Sequence, residues 1–412
     1  MTEIDQNTLV EDGAIPPNDF HDYIERVREV SRYELEVPAD IVSRVKTECN
    51  HLLVDEETIL SAAAAIQSGH LVLQGPPGTG KSSLARALCR AFNASVLPVT
   101  AHEDWTVFEV VGRLELHSNE EHREEIRPVN GFFTEAAIRC AGNIVRHFDD
   151  PAEPQAEWLL IDELNRAYLD KAFGELFTAI GTDEPLPITL PHQNIGNREL
   201  VVPRRLRIVG TINSVDRQFV NSLSQAIRRR FTFVTVDIPP PKRDGEEWSL
   251  EPANGSSLAV REFALVVKKA AGRVAGRFTS NNPDEYDDRL GAILAQLENE
   301  WFGSAGDLFD FAATLRYVRR DDEHAHVPIG TAQLIDTMEL FFNRALAEEI
   351  YGTNAGHAMD WAASVKIVPL LEGGAVPPDL IRDLAERQRA PFNVASRREM
   401  RRIVAAGLHY VE

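Results

Sequence analysis

The segment Gly75–Ser82, GPPGTGKS, constrains the fold of this chain more than any other. It fits the pattern G-x4-G-K-[ST] and stands between the apolar run His70–Gln74 and a helical pattern that begins at Lys81. Glycines let the backbone turn tightly, so that its N–H groups converge on phosphate oxygens at the helix N-terminus. The lysine adds a positive charge and the serine a hydroxyl for Mg²⁺. We therefore predict a phosphate-binding turn formed by Gly75, Pro76, Pro77, Gly78, Thr79, Gly80, Lys81, Ser82 and Ser83.

Short apolar runs alternate with helical patterns on both sides of this turn. The runs are 70–74, 95–100, 158–162, 206–212 and 231–238. Runs of this length separated by helices are typical of a parallel sheet covered on both faces. Two segments, 110–136 and 185–203, alternate like β-hairpins, and the chain from 258 onwards has helical patterns throughout. The predicted fold class is α/β, with hairpin insertions in a parallel sheet domain that an all-helical domain follows.

Changes in composition along the chain predict four parts. Residues 1–54 are an acidic arm with short helices, and 55–240 are the α/β nucleotide-binding core. The Pro-rich segment 238–245 ends the core. Helical patterns then fill 241–375 and a C-terminal extension, 376–412.

Charge and cysteine content narrow the class of protein. The chain has 412 residues and a net charge of −21, which disfavours coating of nucleic acid by its whole surface, although a local basic channel stays open. No segment approaches the roughly 18 apolar residues of a membrane helix, and the N-terminus lacks a signal-peptide pattern. The three cysteines form no CxxC pair. We expect a cytoplasmic protein with no membrane partner.

The apolar run 158–162 ends in a carboxylate, Asp162, and a second carboxylate, Glu163, follows directly. In open α/β sheets, ligands bind at the carboxyl ends of the strands. Asp162 is the candidate ligand of Mg²⁺, together with Ser82. Glu163 is the candidate base for the water that attacks a terminal phosphate. A solvated strand end is the alternative reading of the pair.

Polar and basic residues follow the next two runs. Asn213 directly follows the run 206–212, and a neutral amide there can contact water or the γ-phosphate without adding charge. Asp216 and Arg217 follow in the loop, and Arg228–Arg230 precede the last run. The arginines are either a solvated rim or fingers that enter the site of a neighbouring subunit, where such a residue is typically worth 10³–10⁵ in rate.

These residues, in this order, resemble an AAA+ ATPase. The two hairpin insertions resemble the branch with a helix-2 insert, and within it the McrB-like motors more than the related MoxR-like ATPases. The resemblance to McrB-like chains lies in LLIDELNRAYLDKAFGEL (159–176), LPHQ (190–193), VPRRLRIVGTINSVDR (202–217), AIRRRFTF (226–233) and IVPLLEG (367–373). It covers roughly residues 50–375.

The resemblance implies a ring, a hexamer above all, in which each site is shared by two subunits. It implies that Asn213 is the sensor and that Asp216 and Arg217 couple the site to the neighbour. It also implies that Arg229 and Arg230 act in trans, and it favours Arg230, which holds the position before Phe that other branches also use. The helical segment 241–375 corresponds to a lid, with Arg316, Arg319 and Thr331 as candidate nucleotide contacts. A second arginine cluster, SRREMRR (396–402), competes for this role, and the alternative for each is a simple charge on a helix surface. The family further implies ATP or GTP with Mg²⁺, and an effector such as a nuclease on a separate chain.

Three functions stay open at this point. The first is the motor of a McrB-like restriction or antiphage defence complex, with nucleic acid reached through the ring or the partner. The second is a MoxR-like chaperone that remodels or matures a partner protein. The third is a nucleotide-switched scaffold with little turnover, which Glu163 and the arginines disfavour because a pure switch needs neither.

Overall fold

The computed structural model describes residues 29–118, 124–174, 176, 180, 187–190, 199–213, 224–277, 283–316, 318–320, 323–325, 327, 329–347, 354–372, 376–387 and 391–408. It divides into two compact units. The first comprises the chain through Gly75 together with Gly80–Val236, and the second comprises Asp237–Glu412 together with Pro76–Thr79. Among the described residues, no helix is both long enough and apolar enough to cross a membrane.

The first unit is built of strands and helices in alternation. Its helices are α1 (Ile41–Cys49), α2 (Glu56–Ser68), α3 (Lys81–Ala91), α4 (Val107–Val110), α5 (Phe132–Asp149), α6 (Leu169–Phe173) and α7 (Gln225–Arg230). Its strands are β1 (His70–Gly75), β2 (Ala94–Thr100), β3 (Gly112–Ser118), β4 (Glu124–Asn130), β5 (Ala156–Asp162), β6 (Pro187–Thr189), β7 (Glu199–Val201), β8 (Arg207–Asn213) and β9 (Phe231–Thr235).

Five strands form one parallel sheet in the order β2-β5-β8-β1-β9. The three central strands are almost wholly buried, because helices cover both faces and most side chains along the strands belong to the apolar core. The predicted α/β fold class is confirmed. Since all the strands run in one direction, the carboxyl ends of β5, β8 and β1 lie side by side at one edge of the sheet.

Both predicted hairpins are present. β3 pairs antiparallel with β4, and β6 pairs antiparallel with β7. Helix α5, which has 18 residues and packs on β5, was not predicted. Its buried face carries Thr134, Asn143 and His147 among apolar residues, so the apolar periodicity is interrupted.

Residues 29–54 belong to the first unit. Val30, Leu35, Ile41 and Val45 are buried in the same apolar core as the sheet. The backbone of Glu36 forms a two-way pair with a buried side chain, because its N–H donates to Oε1 of Gln155 and its carbonyl accepts from Nε2. Helix α1 and the segment 29–40 before it therefore contribute to this core.

In the second unit, the described residues form helices and one short hairpin, and an irregular segment, 237–257, precedes the first helix. Its helices are α8 (Leu258–Arg277), α9 (Pro283–Gln296), α10 (Phe302–Arg316), α11 (Thr331–Ala345), α12 (Ala355–Lys366), α13 (Pro378–Arg387) and α14 (Ala395–Leu408). The hairpin pairs β10 (Val318–Arg320) with β11 (Glu323–Ala325), strands that the helical prediction did not include. Helices α13 and α14 share one apolar core with α8–α12.

The C-terminal helices are held by specific contacts within this unit. Phe311 on α10 stacks on Phe392, with ring centroids 4.3 Å apart. The buried carboxylate of Asp360 accepts N–H bonds of 2.7 Å from Ala395 and 2.9 Å from Ser396, which caps the start of α14.

Candidate active site

The loop between β1 and α3 has a backbone that requires glycine. Gly75 has φ 155°, and a Cβ there would lie 2.0 Å from the carbonyl oxygen of Val236. Gly80 has φ 86° at the N-cap of α3, in the left-handed region. Inside the loop, Oγ1 of Thr79 donates a 3.0 Å bond to the carbonyl of Pro76. The loop therefore turns sharply into the N-terminus of α3.

Lys81, the first residue of α3, is 6% exposed. Its Nζ donates a 3.0 Å hydrogen bond to the carbonyl of Gly75, at the other end of the loop. The ammonium therefore lies inside the turn, next to the N–H groups at the positive end of the helix. An anion that entered the turn would meet both the charge and the amides.

Ser82 and Asp162 lie in contact. Oγ of Ser82 donates a 2.6 Å hydrogen bond to Oδ1 of Asp162, the last residue of β5. Thr211 on β8 donates to the same oxygen at 2.8 Å. The three side chains place hard oxygen donors beside the turn, and this is the ligand chemistry that Mg²⁺ prefers. Sequence reasoning missed Thr211, whose only signal is a hydroxyl near the end of an otherwise apolar strand.

Glu163 and Asn213 meet at the ends of adjacent strands. Nδ2 of Asn213 lies 3.3 Å from Oε1 of Glu163 and donates to it. The N–H of Glu163 donates to Oγ1 of Thr211 at 3.1 Å, and Glu163 has φ 55°, a conformation that non-glycine residues seldom adopt. Strain of this kind persists where the surroundings hold it, often at functional sites.

Four other residues are predicted for the site, namely Asp216, Arg217, Arg229 and Arg230. Asp216 and Arg217 lie outside the described residues. Arg229 and Arg230 lie on α7, where Arg230 donates from Nε to the carbonyl of Ile180 at 3.0 Å, whereas Arg229 is exposed. Their action on a neighbouring subunit stays a prediction.

Two candidate nucleotide contacts of the helical unit are engaged inside it. Arg316 is 4% exposed and donates to both carboxylate oxygens of Glu262, at 2.8 and 2.9 Å, and to the carbonyl of Ile329. Thr331 donates to the same carboxylate at 2.8 Å. These bonds fix α8, α10 and α11 to one another, a structural role that sequence did not indicate. The side chain of Arg319 lies outside the described part.

Residues 70–231 match the family model of the AAA domain, dynein-related subfamily. None of the curated proteins matches the chain significantly. The matched range begins with β1 and ends at the first residue of β9, so it spans the turn, both carboxylates and Asn213. The chain therefore contains an AAA domain, the nucleotide-binding core of AAA+ ATPases.

Proposed function

We propose that the protein is a ring-forming, Mg²⁺-dependent AAA+ ATPase that serves as the motor of a McrB-like defence complex with a separate effector. The observation that carries the enzymatic part is the meeting of Lys81, Ser82, Asp162, Glu163 and Asn213 at one edge of the sheet. The McrB-like part rests on sequence resemblance and on the β6/β7 hairpin that precedes β8.

The residues at this edge divide the work of hydrolysis among them. Lys81 and the loop amides bind the outer phosphates, and Ser82 and Asp162 hold the metal. When bound, Mg²⁺ neutralises charge on the phosphates. Glu163 accepts a proton from the attacking water, and Asn213 orients that water or the γ-phosphate.

A substitution at Glu163 tests the assignment of the base. Glu163→Gln keeps the size of the side chain and one of its two acceptor oxygens but removes its basicity. We expect nucleotide affinity to stay within a few-fold of wild type while steady-state hydrolysis falls by at least 10². Turnover at the wild-type rate would overturn the assignment.

We assign the trans-acting role first to Arg229. Within the part of the chain that the structure describes, Arg229 is exposed and makes no hydrogen bond or ion pair, whereas Arg230 is bonded to Ile180. An arginine that must reach a neighbour needs a mobile, available side chain.

Mixing inactive proteins tests whether the site is shared. The Arg229→Ala subunit lacks the trans-acting arginine but keeps an intact phosphate-binding turn. The Lys81→Ala subunit has an impaired turn but keeps Arg229. A 1:1 mixture should recover part of the wild-type ATPase activity if each supplies what the other lacks. Lys81→Ala mixed with Glu163→Gln is the matched control, because both changes disable the site of their own subunit and no recovery is expected. Absence of recovery in the first mixture would contradict a shared site.

Identification of the partner separates motor from chaperone. Tagged protein, purified from its native host with bound ATP analogue, should carry a nuclease-like chain in stoichiometric amount. A partner with a metal-binding adhesion domain would instead indicate the MoxR-like function. We choose ATP over GTP although no described residue has been assigned to contact the nucleobase. Competition between ATP and GTP for binding to the Glu163→Gln protein tests this choice.

A further inference from the structure

The turn after Asp162 is held by its backbone. Glu163 has φ 55°, and its carbonyl accepts a 2.8 Å bond from the N–H of Arg166, which closes the 3-10 turn Leu164–Arg166. The N–H of Glu163 is bonded to Thr211 on β8. The residues from Glu163 to Arg166 are therefore tied to β8 and to one another.

Side-chain packing fixes the same turn. Leu164 is buried and lies over Gly210 of β8, where an added Cβ would come within 2.7 Å of Leu164 Cδ2. Asn165 is also buried. Because Gly210 has no side chain, Leu164 packs directly against the backbone of β8. The backbone that carries Arg166 is therefore held in place against the sheet.

The guanidinium of Arg166 returns to Glu163. Its Nε lies 2.9 Å from Oε2 of Glu163, while Asn213 donates to the other oxygen, Oε1, at 3.3 Å. The side chain of Arg166 is 57% exposed and that of Glu163 is 29% exposed. An ion pair this exposed adds little to stability. The ion pair matters more for the orientation of the Glu163 carboxylate, because the other bond to that carboxylate, from Asn213, is longer.

We propose that Arg166 is a positioning residue that fixes the carboxylate of Glu163 for the attacking water. The inference rests on the proposed function, in which Glu163 is the base. Arg166 and Asn213 hold the carboxylate from its two oxygens, so that one orientation prevails before water arrives. Without Arg166, rotation about the terminal bonds of Glu163 lowers the fraction of molecules in the productive geometry.

The split between kcat and KM measures this role. Arg166→Ala should lower kcat for ATP by about tenfold and leave KM within twofold, since the arginine acts on the base. Arg166→Lys should recover part of kcat, because an ammonium can reach the carboxylate without the planar fork. Arg139→Ala is the matched control. Arg139 forms an ion pair with Glu135 at 2.7 Å, with side-chain exposures of 48% and 24%, on α5, and its loss should leave kcat unchanged.

A double substitution shows whether Arg166 acts through Glu163. In single-turnover hydrolysis, Arg166→Ala should slow the Glu163→Gln protein by less than twofold, because the group it positions is already inactive. A further tenfold loss in the double variant, or a wild-type kcat in Arg166→Ala, would overturn the inference. A rise in KM with kcat unchanged would also overturn it. Full activity of Glu163→Gln is a different result, since it would refute the proposed base itself.

Discussion

Oγ of Ser82 donates a 2.6 Å hydrogen bond to Oδ1 of Asp162, across 80 residues of sequence. Ser82 is the second residue of α3, directly after Lys81, and Asp162 ends β5. A direct bond between them means that the hydroxyl and the carboxylate are already adjacent, and a metal ion that replaces the shared proton needs little rearrangement of either.

Ser82→Ala should weaken nucleotide binding only when Mg²⁺ is present. The variant loses one oxygen ligand but keeps Lys81 and the loop amides, so we expect a 10- to 100-fold rise in the Kd for MgATP. Titration with a fluorescent ATP analogue measures it. In EDTA the variant and wild type should bind alike. Equal weakening with and without Mg²⁺ would show that Ser82 serves the phosphates instead.

Gly75→Ala should destabilise the first unit. The new Cβ would lie 2.0 Å from the carbonyl oxygen of Val236, a backbone atom that cannot move without disturbing the end of β9. We expect a loss of about 3 kcal/mol or more in the free energy of unfolding, together with weaker ATP binding. Denaturant titration measures the loss.

Gly69→Ala provides the matched control at the opposite end of β1. A Cβ there meets no heavy atom within 4 Å. Its unfolding midpoint should stay near that of wild type, and a midpoint as low as that of Gly75→Ala would contradict the steric explanation.

Stability should depend on pH through His70. Nδ1 of His70 accepts the N–H of Ile208 at 3.0 Å, and burial, with the charge of Arg207, lowers the pKa of His70 to about 3. The unfolded side chain has a pKa of about 6.5. Between these values the unfolded chain binds more protons, so stability falls as the pH is lowered through this window.

His70→Asn keeps an acceptor for Ile208 but does not titrate. From pH 7 to pH 5, the wild type should lose about 2 kcal/mol of unfolding free energy relative to this variant. Denaturant titrations at several pH values measure the difference. Parallel curves for the two proteins would show that His70 keeps an ordinary pKa in the fold.

The parts of the fold and site that sequence predicted are local in the chain. The phosphate-binding turn is contiguous, and Asp162 and Asn213 end strands that are mostly apolar, with Glu163 directly after Asp162. A parallel sheet then places those ends together without further information.

The contacts that sequence did not predict join distant residues without a repeated pattern. Thr211 meets Asp162 across 49 residues, and Arg316 meets Glu262 across 54. No periodicity marks such pairs, because each depends on how whole elements pack. Arg166 is close to Glu163 in sequence, but its direction depends on the 3-10 turn and on the space that Gly210 leaves.

Removing Arg316 should destabilise the helical unit far more than removing an exposed arginine. Glu262 is 0% exposed, and Arg316→Ala would leave its carboxylate buried without its cation, which costs about 3–5 kcal/mol. Arg273 forms ion pairs with Asp336 and Glu339 but is 51% exposed, so Arg273→Ala should cost less than about 1 kcal/mol. Urea unfolding followed by circular dichroism compares the two.

A third protein separates the loss of a bond from the presence of an unpaired charge. In Arg316→Met with Glu262→Leu, both charges are replaced by apolar side chains of similar size. Since the penalty in Arg316→Ala comes chiefly from the unpaired carboxylate, the double variant should regain more than half of the lost stability. Thr331 limits the recovery, because its hydroxyl then loses its acceptor, Oε1 of Glu262. A double variant as unstable as Arg316→Ala would mean that the pair stabilises the unit through its geometry, and not only through neutralising a buried charge.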